Sequence, residues 1–370
     1  MKIPLGKKFF DEEMEQAAVD ALRNERFVLG ESVHKFEEEF ARYCGTDYAV
    51  SASSGTDALK IAMLTAGIRP GQAVVTSPAS FIASANAIIY AQGVPVFSDI
   101  NLETNNIDTL KLEKTITTKT KAVIPVHLYG YPADMNSIND LAEKRDLVVI
   151  EDACQAHGAL YHGKKTGSLG LAGCFSFYPT KNMTVGGDGG MITTNDEKIA
   201  VAAAKLRDCG RKSRYVHDAL GFTSRLNSVN AAIGRVQLRR LDAWNESRRK
   251  AAKMYDRSLE GVGDLILPPK ESAEIEPVYH LYVIRTKYRD ELKSWLESQS
   301  IECGIHYVLP IHLQPIYQEM FGYKEGAYPN AEELCETCLT IPIFPNITPD
   351  ELQYVSQNIN KFFGSKKGEN

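Results

Sequence analysis

The segment FSFYPTKNMTVGGDGG, residues 175 to 190, sets one lysine, Lys181, between an aromatic run and a cluster of glycines. A lysine so placed can grip phosphate, anchor a carbonyl compound covalently, or stand in solvent. A P-loop needs its lysine after the glycines and a Ser or Thr beside it. Here the glycines follow Lys181 and Asn182 comes next, so that reading fails. The turn SASSGTDALK also lacks the GxGxxG of a dinucleotide site.

The covalent reading makes further demands. A lysine that anchors pyridoxal phosphate needs an acid for the ring nitrogen, a cup for the phosphate and a flat partner for the ring. Asp152 closes the apolar run LVVIED, where a buried carboxylate could meet a pyridinium. Ser54-Gly55-Thr56 lies between YAVSAS and DALKIAML, so its N–H groups and hydroxyls would crown a helix N-terminus, an anion site. Phe81 follows another strand end and could cover a ring. Each has a plainer alternative: a strand-end acid caps a turn, Ser-Gly-Thr caps a helix, and a phenylalanine packs in a core.

The elements that must position these residues are legible in the apolar pattern. From residue 47, the runs YAVSAS, AVVTSP, VPVFSDI, KAVIPVHLYG and LVVIEDAC alternate with the helical patterns DALKIAMLTAG, FIASANAIIYAQG and MNSINDLAEKRD. Near-continuous Val and Ile runs separated by helices predict an α/β domain with a mostly parallel sheet flanked by helices. Such sheets bind ligands at the carboxyl ends of their strands. Ser53 to Thr56, Ser77-Pro78, Asp99, His127, Asp152 and Gln155 all fall there. Beyond residue 225, VNAAIGRVQLRRLDAWNESRRKAAKMYDRSLEG reads as one long helical stretch. A smaller C-terminal α+β domain is expected after it, with HLYVIRTK and IECGIHYV as strands and RDELKSWLESQS as a helix between them. Thr348-Pro349-Asp350-Glu351 predicts a capped final helix buried through Leu352, Val355, Ile359 and Phe362. The expected organisation is a large domain over 10–245, a small domain over 246–364 and a flexible tail over 365–370.

With 370 residues, 44% hydrophobic and 24% charged, the composition is that of a folded globular protein. The net charge of -5 and the lack of a basic tract, apart from the tail SKKGEN, argue against nucleic acid or a membrane surface as partner. Charges interrupt the N-terminal apolar residues, so a cytoplasmic protein is expected. Seven scattered cysteines read as reduced thiols, and Cys335 and Cys338, with metal-like spacing inside a probable helix, have no second ligand pair; no metal is expected.

SSGTDALKIA, SFIASANAI, VPVFSDI, HLYGYPADM, IEDACQAHGA, SFYPTKN with GDGG, and IHYVLPIHLQPIY occur in an order that resembles the DegT/StrS family of sugar aminotransferases. These are pyridoxal-phosphate enzymes of the aspartate aminotransferase fold, fold type I. The resemblance covers nearly the whole chain. It implies that Lys181 anchors the cofactor and shuttles the proton, that Asp152 pairs with the ring nitrogen, and that Gln155 approaches the ring hydroxyl. It further implies that Gly55, Thr56 and Ser176 hold the phosphate and that Phe81 stacks on the ring. The glycines after Lys181 are then expected to permit a tight turn beside the ligand. Tyr178, His306, Tyr307 and His312 are the implied substrate-side residues, while His127, His157 and His280 read as packing or hydrogen-bonding residues.

The family completes each site from a partner subunit with a GYNSRL-like segment, which implies a homodimer with shared sites. Here that segment is GFTSRLN, residues 221 to 227, with Thr223 where the family usually has asparagine and with Arg225 as a carboxylate clamp or a structural ion pair. The implied reaction transfers an amino group from L-glutamate to a nucleotide-linked keto sugar. The GDGG ending leans toward amination at C3 rather than C4. Relatives that deoxygenate sugars carry histidine in place of the anchoring lysine, which Lys181 argues against. The alternatives are an aminotransferase for an aminocyclitol ketone and a non-catalytic regulatory protein on the same fold.

Overall fold

The structure, a computed structural model, describes residues 1–7 and 9–366. Its centre is a seven-stranded sheet with the order Tyr48–Ala52, Gly190–Thr194, Ala172–Ser176, Val148–Asp152, Thr120–Ile124, Ala73–Thr76 and Val94–Phe97. Neighbours from Ala172–Ser176 to Val94–Phe97 run parallel, while Gly190–Thr194 runs antiparallel to both of its neighbours. All four residues of Ala73–Thr76 are buried, as an inner strand covered on both faces requires. Helices Gly55–Thr65, Ala83–Tyr90 and Met135–Arg145 fill the crossovers near the predicted places.

The expected single helix after residue 225 is two: Ser228–Leu238 and Leu241–Leu259, with Arg239 and Arg240 between them. Helix Leu241–Leu259 spans two cores. Leu241 packs with Phe36, Phe40 and Phe177, whereas Ala251, Ala252, Tyr255 and Leu259 pack with Tyr282, Leu292 and Val355. The boundary expected at 245/246 thus falls inside a continuous helix. Ile3 also joins the second core and bridges to Ile301, ahead of the expected start at residue 10.

In the C-terminal region Tyr282–Arg285 pairs antiparallel with Cys338–Ile341. IECGIHYV is not a strand; Ile301 and Gly304 make isolated bridges to Ile3 and Thr340, and the rest is irregular, with a turn at His306 and Tyr307. The final helix, Pro349–Lys366, carries the predicted reciprocal cap: Glu351 N donates to Thr348 Oγ1 at 3.2 Å and Thr348 N to Glu351 Oε2 at 2.7 Å. Leu352, Val355, Ile359 and Phe362 are all buried, each contributing roughly 1.5–3 kcal/mol of apolar burial. That helix includes residues 365 and 366 of the expected tail; the remainder, 367–370, lies outside the described residues. Cys335 ends up in a helix and Cys338 opens a strand, and the described residues hold no cluster able to bind a metal. No described helix is long and apolar enough to cross a membrane.

Candidate active site

Strands Val148–Asp152 and Ala172–Ser176 are parallel and adjacent, with Asp152 opposite Cys174, so Asp152 and Ser176 emerge at the same edge of the sheet. Helix Gly55–Thr65 begins against that edge. A Cβ on Gly55 would fall 2.7 Å from Ser176 Cβ and 2.8 Å from Cys154 Sγ, so glycine is what lets the turn come this near. Ser54 caps the helix by accepting from Asp57 N at 3.1 Å. The N–H groups of Gly55 and Thr56, in the first turn, have no acceptor within the helix.

The lysine-bearing loop leaves the sheet at Ser176 and returns at Gly190, two residues paired across the antiparallel ladder. A Cβ on Gly190 would sit 2.2 Å from the Ser54 carbonyl oxygen. Gly190 therefore serves close approach of two backbones. The tight turn expected of these glycines applies to Gly186, whose φ of +80° lies in the left-handed region.

Asp152 is 4% exposed; its Oδ2 accepts from Ser84 Oγ at 2.6 Å and its Oδ1 from Cys154 N at 3.2 Å. Gln155, equally buried, accepts from Tyr129 N at 2.9 Å and donates to the Tyr307 hydroxyl at 3.1 Å. The Tyr129 hydroxyl donates to the carbonyl of His306, and His306 Nδ1 bonds Thr340 Oγ1 at 2.8 Å. Two residues of the C-terminal region, His306 and Tyr307, are thus bonded to the strand-end loops of the sheet. Phe81, 55% exposed, has its ring centroid 6.1 Å from that of Tyr307. Tyr178 is exposed, and Ser176 Oγ accepts from Tyr178 N at 3.4 Å.

Lys181 is half-buried, and its amine makes no hydrogen bond or ion pair among the described residues. Desolvation holds its pKa below the ordinary lysine value, against the opposing pull of Cys154 and Asp152. Desolvation, then the nearby Lys181 charge, likewise lowers the pKa of His306. Burial raises the Tyr307 phenol, with Asp152 adding to it.

Two expected site residues are held by other contacts within this chain. Arg225 pairs with Asp208 at 3.0 Å, and its neighbour Ser224 donates to Asp57 at 2.6 Å, which holds this segment to its own chain. Thr223 Oγ1 lies 3.4 Å from Cys209 Sγ. His312 is fully buried, bonded to Glu332 at 2.9 Å among the rings of Phe97, Tyr323 and Tyr328. It is part of a packed aromatic cluster and not of the surface around Lys181. His127 is bonded to Glu151 at 3.0 Å, as a structural histidine would be. Asp99, another strand-end residue, accepts from Asn330 N and Ala331 N and pairs with Lys111, so it anchors helix Pro329–Thr337.

Ser84, Tyr129 and Asn182 were not singled out by the sequence. Ser84 stands four residues after Ser80 and shares a 2.8 Å hydrogen bond with it, a helical spacing that could have drawn attention. Tyr129 occupies the left-handed region at φ 57°, which its sequence context does not announce.

Together these groups fit pyridoxal phosphate. An unpartnered amine suits a covalent anchor, a buried carboxylate suits a pyridinium, free N–H groups at a helix N-terminus suit a phosphate, and the exposed Phe81 ring suits a stacked heterocycle.

Residues 9–360 match the sequence profile described as the DegT/DnrJ/EryC1/StrS aminotransferase family. The chain is 45% identical over 345 residues to a Geobacillus stearothermophilus protein named pleiotropic regulatory protein, covering 93% of this chain and 92% of that one. It is 40% identical over 335 residues to the dTDP-3-amino-3,4,6-trideoxy-alpha-D-glucose transaminase of Streptomyces venezuelae, covering 90% and 88%. The crystal structure of DesV from S. venezuelae, in complex with a ketimine intermediate, superposes with a TM-score of 0.92 at 38% identity, covering 95% of this chain and 94% of that one.

Proposed function

The chain belongs to the DegT/DnrJ/EryC1/StrS aminotransferase family and is a pyridoxal-phosphate-dependent aminotransferase, and on that footing we propose that it aminates a nucleotide-linked keto sugar with L-glutamate as donor. The observation that carries the reading is the convergence of an unpartnered Lys181, a buried Asp152 and the Ser54-Gly55-Thr56 turn at one sheet edge. Amination at C3 is favoured, from the GDGG ending and from the 3-amino sugar in the name of the S. venezuelae relative.

Bound pyridoxal phosphate supplies an electron sink for the charge left when a C–H proton is removed beside the amino group. Lys181 would hold the cofactor at rest, and its freed amine would take that proton and return it at a second carbon. Its lowered pKa favours the neutral amine that a base must be. Asp152 would keep a proton on the ring nitrogen, its orientation fixed by Ser84 and the Cys154 N–H. Gln155 would face the ring hydroxyl, Gly55, Thr56 and Ser176 would hold the phosphate, and the exposed Phe81 ring would cover the cofactor ring. Tyr178, His306 and Tyr307 would border the substrate.

The working unit is a homodimer in which residues 221–227 reach the partner's site. Arg225, whose Nη1 pairs with Asp208 of its own chain, is the residue of this segment that would face the partner's substrate. The two cores joined by helix Leu241–Leu259 support a large cofactor domain and a small C-terminal domain, with the substrate between them.

The name of the G. stearothermophilus relative suggests a regulatory protein. Retention here of Lys181, Asp152 and Gln155 together supports catalysis instead. The test is to load the enzyme with glutamate and offer 3-keto and 4-keto nucleotide sugars and an aminocyclitol ketone. Amino-sugar product from the 3-keto substrates alone is expected. Product from the 4-keto sugar or the cyclitol alone, or no loss of the cofactor's visible band on adding glutamate, would overturn the reading.

A further inference from the structure

Behind Lys181 lies a buried polar network that the reaction as described does not use. Asn182, 4% exposed, donates from Nδ2 to Asn245 Oδ1 at 2.9 Å and to the Val278 carbonyl at 3.0 Å. Asn245, 1% exposed, donates in turn to the His157 carbonyl at 2.8 Å. His280 Nδ1 lies 3.2 Å from Asn182 Oδ1. Arg248 donates from Nη1 to the carbonyls of Tyr279, His280 and Ile343 at 3.1, 3.3 and 3.1 Å. Asn245 and Arg248 both belong to helix Leu241–Leu259, the element shared by the two cores.

These contacts fix hydrogen positions. The Val278 carbonyl can only accept, so the nitrogen of the Asn182 amide must face it, and the amide oxygen must face His280. An oxygen facing Nδ1 requires Nδ1 to carry the hydrogen. Burial first, then the neighbouring Lys181, Arg248, His157 and His306, disfavour a second proton on the His280 ring.

We propose that Asn182 and His280 are positioning residues for Lys181, Asn182 holding His280 as the Nδ1–H tautomer and tying the lysine loop to helix Leu241–Leu259. The inference rests on Lys181 being the anchor and base. A lysine that alternates between a covalent anchor and a free base must return to one place, and the residue next to it in the chain is bonded on three sides. The ring beside it adds no positive charge and offers no acid. Desolvation then dominates the lysine's titration, with Cys154 and Asp152 as the opposing groups.

The test reads Lys181 itself. Cofactor-free protein is methylated reductively across a pH series, and the rate at Lys181 is followed by mass spectrometry. In Asn182→Ala and His280→Leu, the midpoint is expected to rise toward ordinary lysine by about one pH unit as water reaches the loosened loop. Hydrogen exchange over residues 177–189 should quicken. His280→Asn keeps a donor where Nδ1–H stood and should restore the wild-type midpoint, a result that also guards against misfolding of the other variants. Unchanged midpoints in Asn182→Ala and His280→Leu overturn the proposal, as does a His280→Asn midpoint that moves as far as that of His280→Leu. Borohydride reduction of the wild-type holoenzyme separates the two readings. A label on Lys181 with unmoved variant midpoints fails this inference alone, and a label elsewhere fails the assignment of the anchor.

Discussion

The amide of Gln155, one loop beyond the end of a central strand, donates at 3.1 Å to the phenol of Tyr307, a residue of the C-terminal region. The same amide accepts from Tyr129 N, and the Tyr129 hydroxyl reaches His306. A closed set of contacts thus joins the strand-end loops of the sheet to the segment His306-Tyr307, proposed to border the substrate. Tyr307→Phe would leave the Gln155 N–H without its partner. The expected cost is about 1 kcal/mol of stability, read as a lower urea midpoint at unchanged slope. The KM for the sugar should rise more than kcat falls.

Removing the amine at position 181 removes both anchor and base. Lys181→Ala should lower kcat by about 10⁴-fold or more and abolish the visible absorbance of the bound cofactor. Normal turnover in that variant would sink the assignment.

Asp152→Asn keeps the shape and one acceptor oxygen, for the Cys154 N–H, while its amide N–H can donate to the Ser84 hydroxyl; it loses the charge that would hold a proton on the ring. Cofactor binding should persist while kcat falls by about 10²–10⁴-fold. Loss of cofactor with an unaltered kcat per bound site would show Asp152 to be a phosphate- or fold-supporting residue instead.

Acid should destabilise the fold through its buried imidazoles. His157 is fully buried between the rings of Phe175 and Phe177, and burial, reinforced by Lys181, lowers its pKa from 6.5 to about 3. Between those values the unfolded chain holds more protons at this residue than the folded one, so stability rises with pH across the window and falls on acidification. The contribution reaches at most about 1.4 kcal/mol per pH unit. His157→Phe should flatten the dependence of the urea midpoint between pH 6.5 and 3; an unchanged slope would place the acid sensitivity elsewhere.

The proposed sharing of sites between subunits predicts complementation. Lys181→Ala and Arg225→Ala chains should each be inactive, yet a mixed dimer contains one site with both residues intact. Recovery of activity on mixing is expected, and its absence would mean that Arg225 serves its own chain through Asp208.

How far the sequence foretold all this depended on what each residue relied upon. Asp152, Gln155 and Ser54-Gly55-Thr56 were legible because strand ends and helix starts follow from local apolar periodicity. Tyr129, Ser84 and the Asn182–His280 contact depend on which distant segments meet, and one sequence does not state that. His312 misled because a motif gives a residue's place along the chain and not the direction of its side chain; Glu332 and three aromatic rings turn it inward. The strand expected over IECGIHYV had suitable residues but found no continuous partner edge, only Thr340 and Ile3. The long helix broke at Arg239-Arg240, where no proline or glycine marks a stop.

The pairing of Ser176 with Gly190 gives the lysine loop a fixed exit and a fixed return. Its two ends are clamped in register, one of them pressed against the Ser54 carbonyl. Between those clamps lie Lys181, the thrice-bonded Asn182 and the buried Met183 and Val185, so packing as well as the ladder fixes the path of the loop. A single added residue within the ladder itself would turn each side chain beyond it to the opposite face. An added residue is therefore expected to be borne best at the exposed turn from Gly186 to Asp188, and worst beside Lys181 or in the two strands that frame the loop.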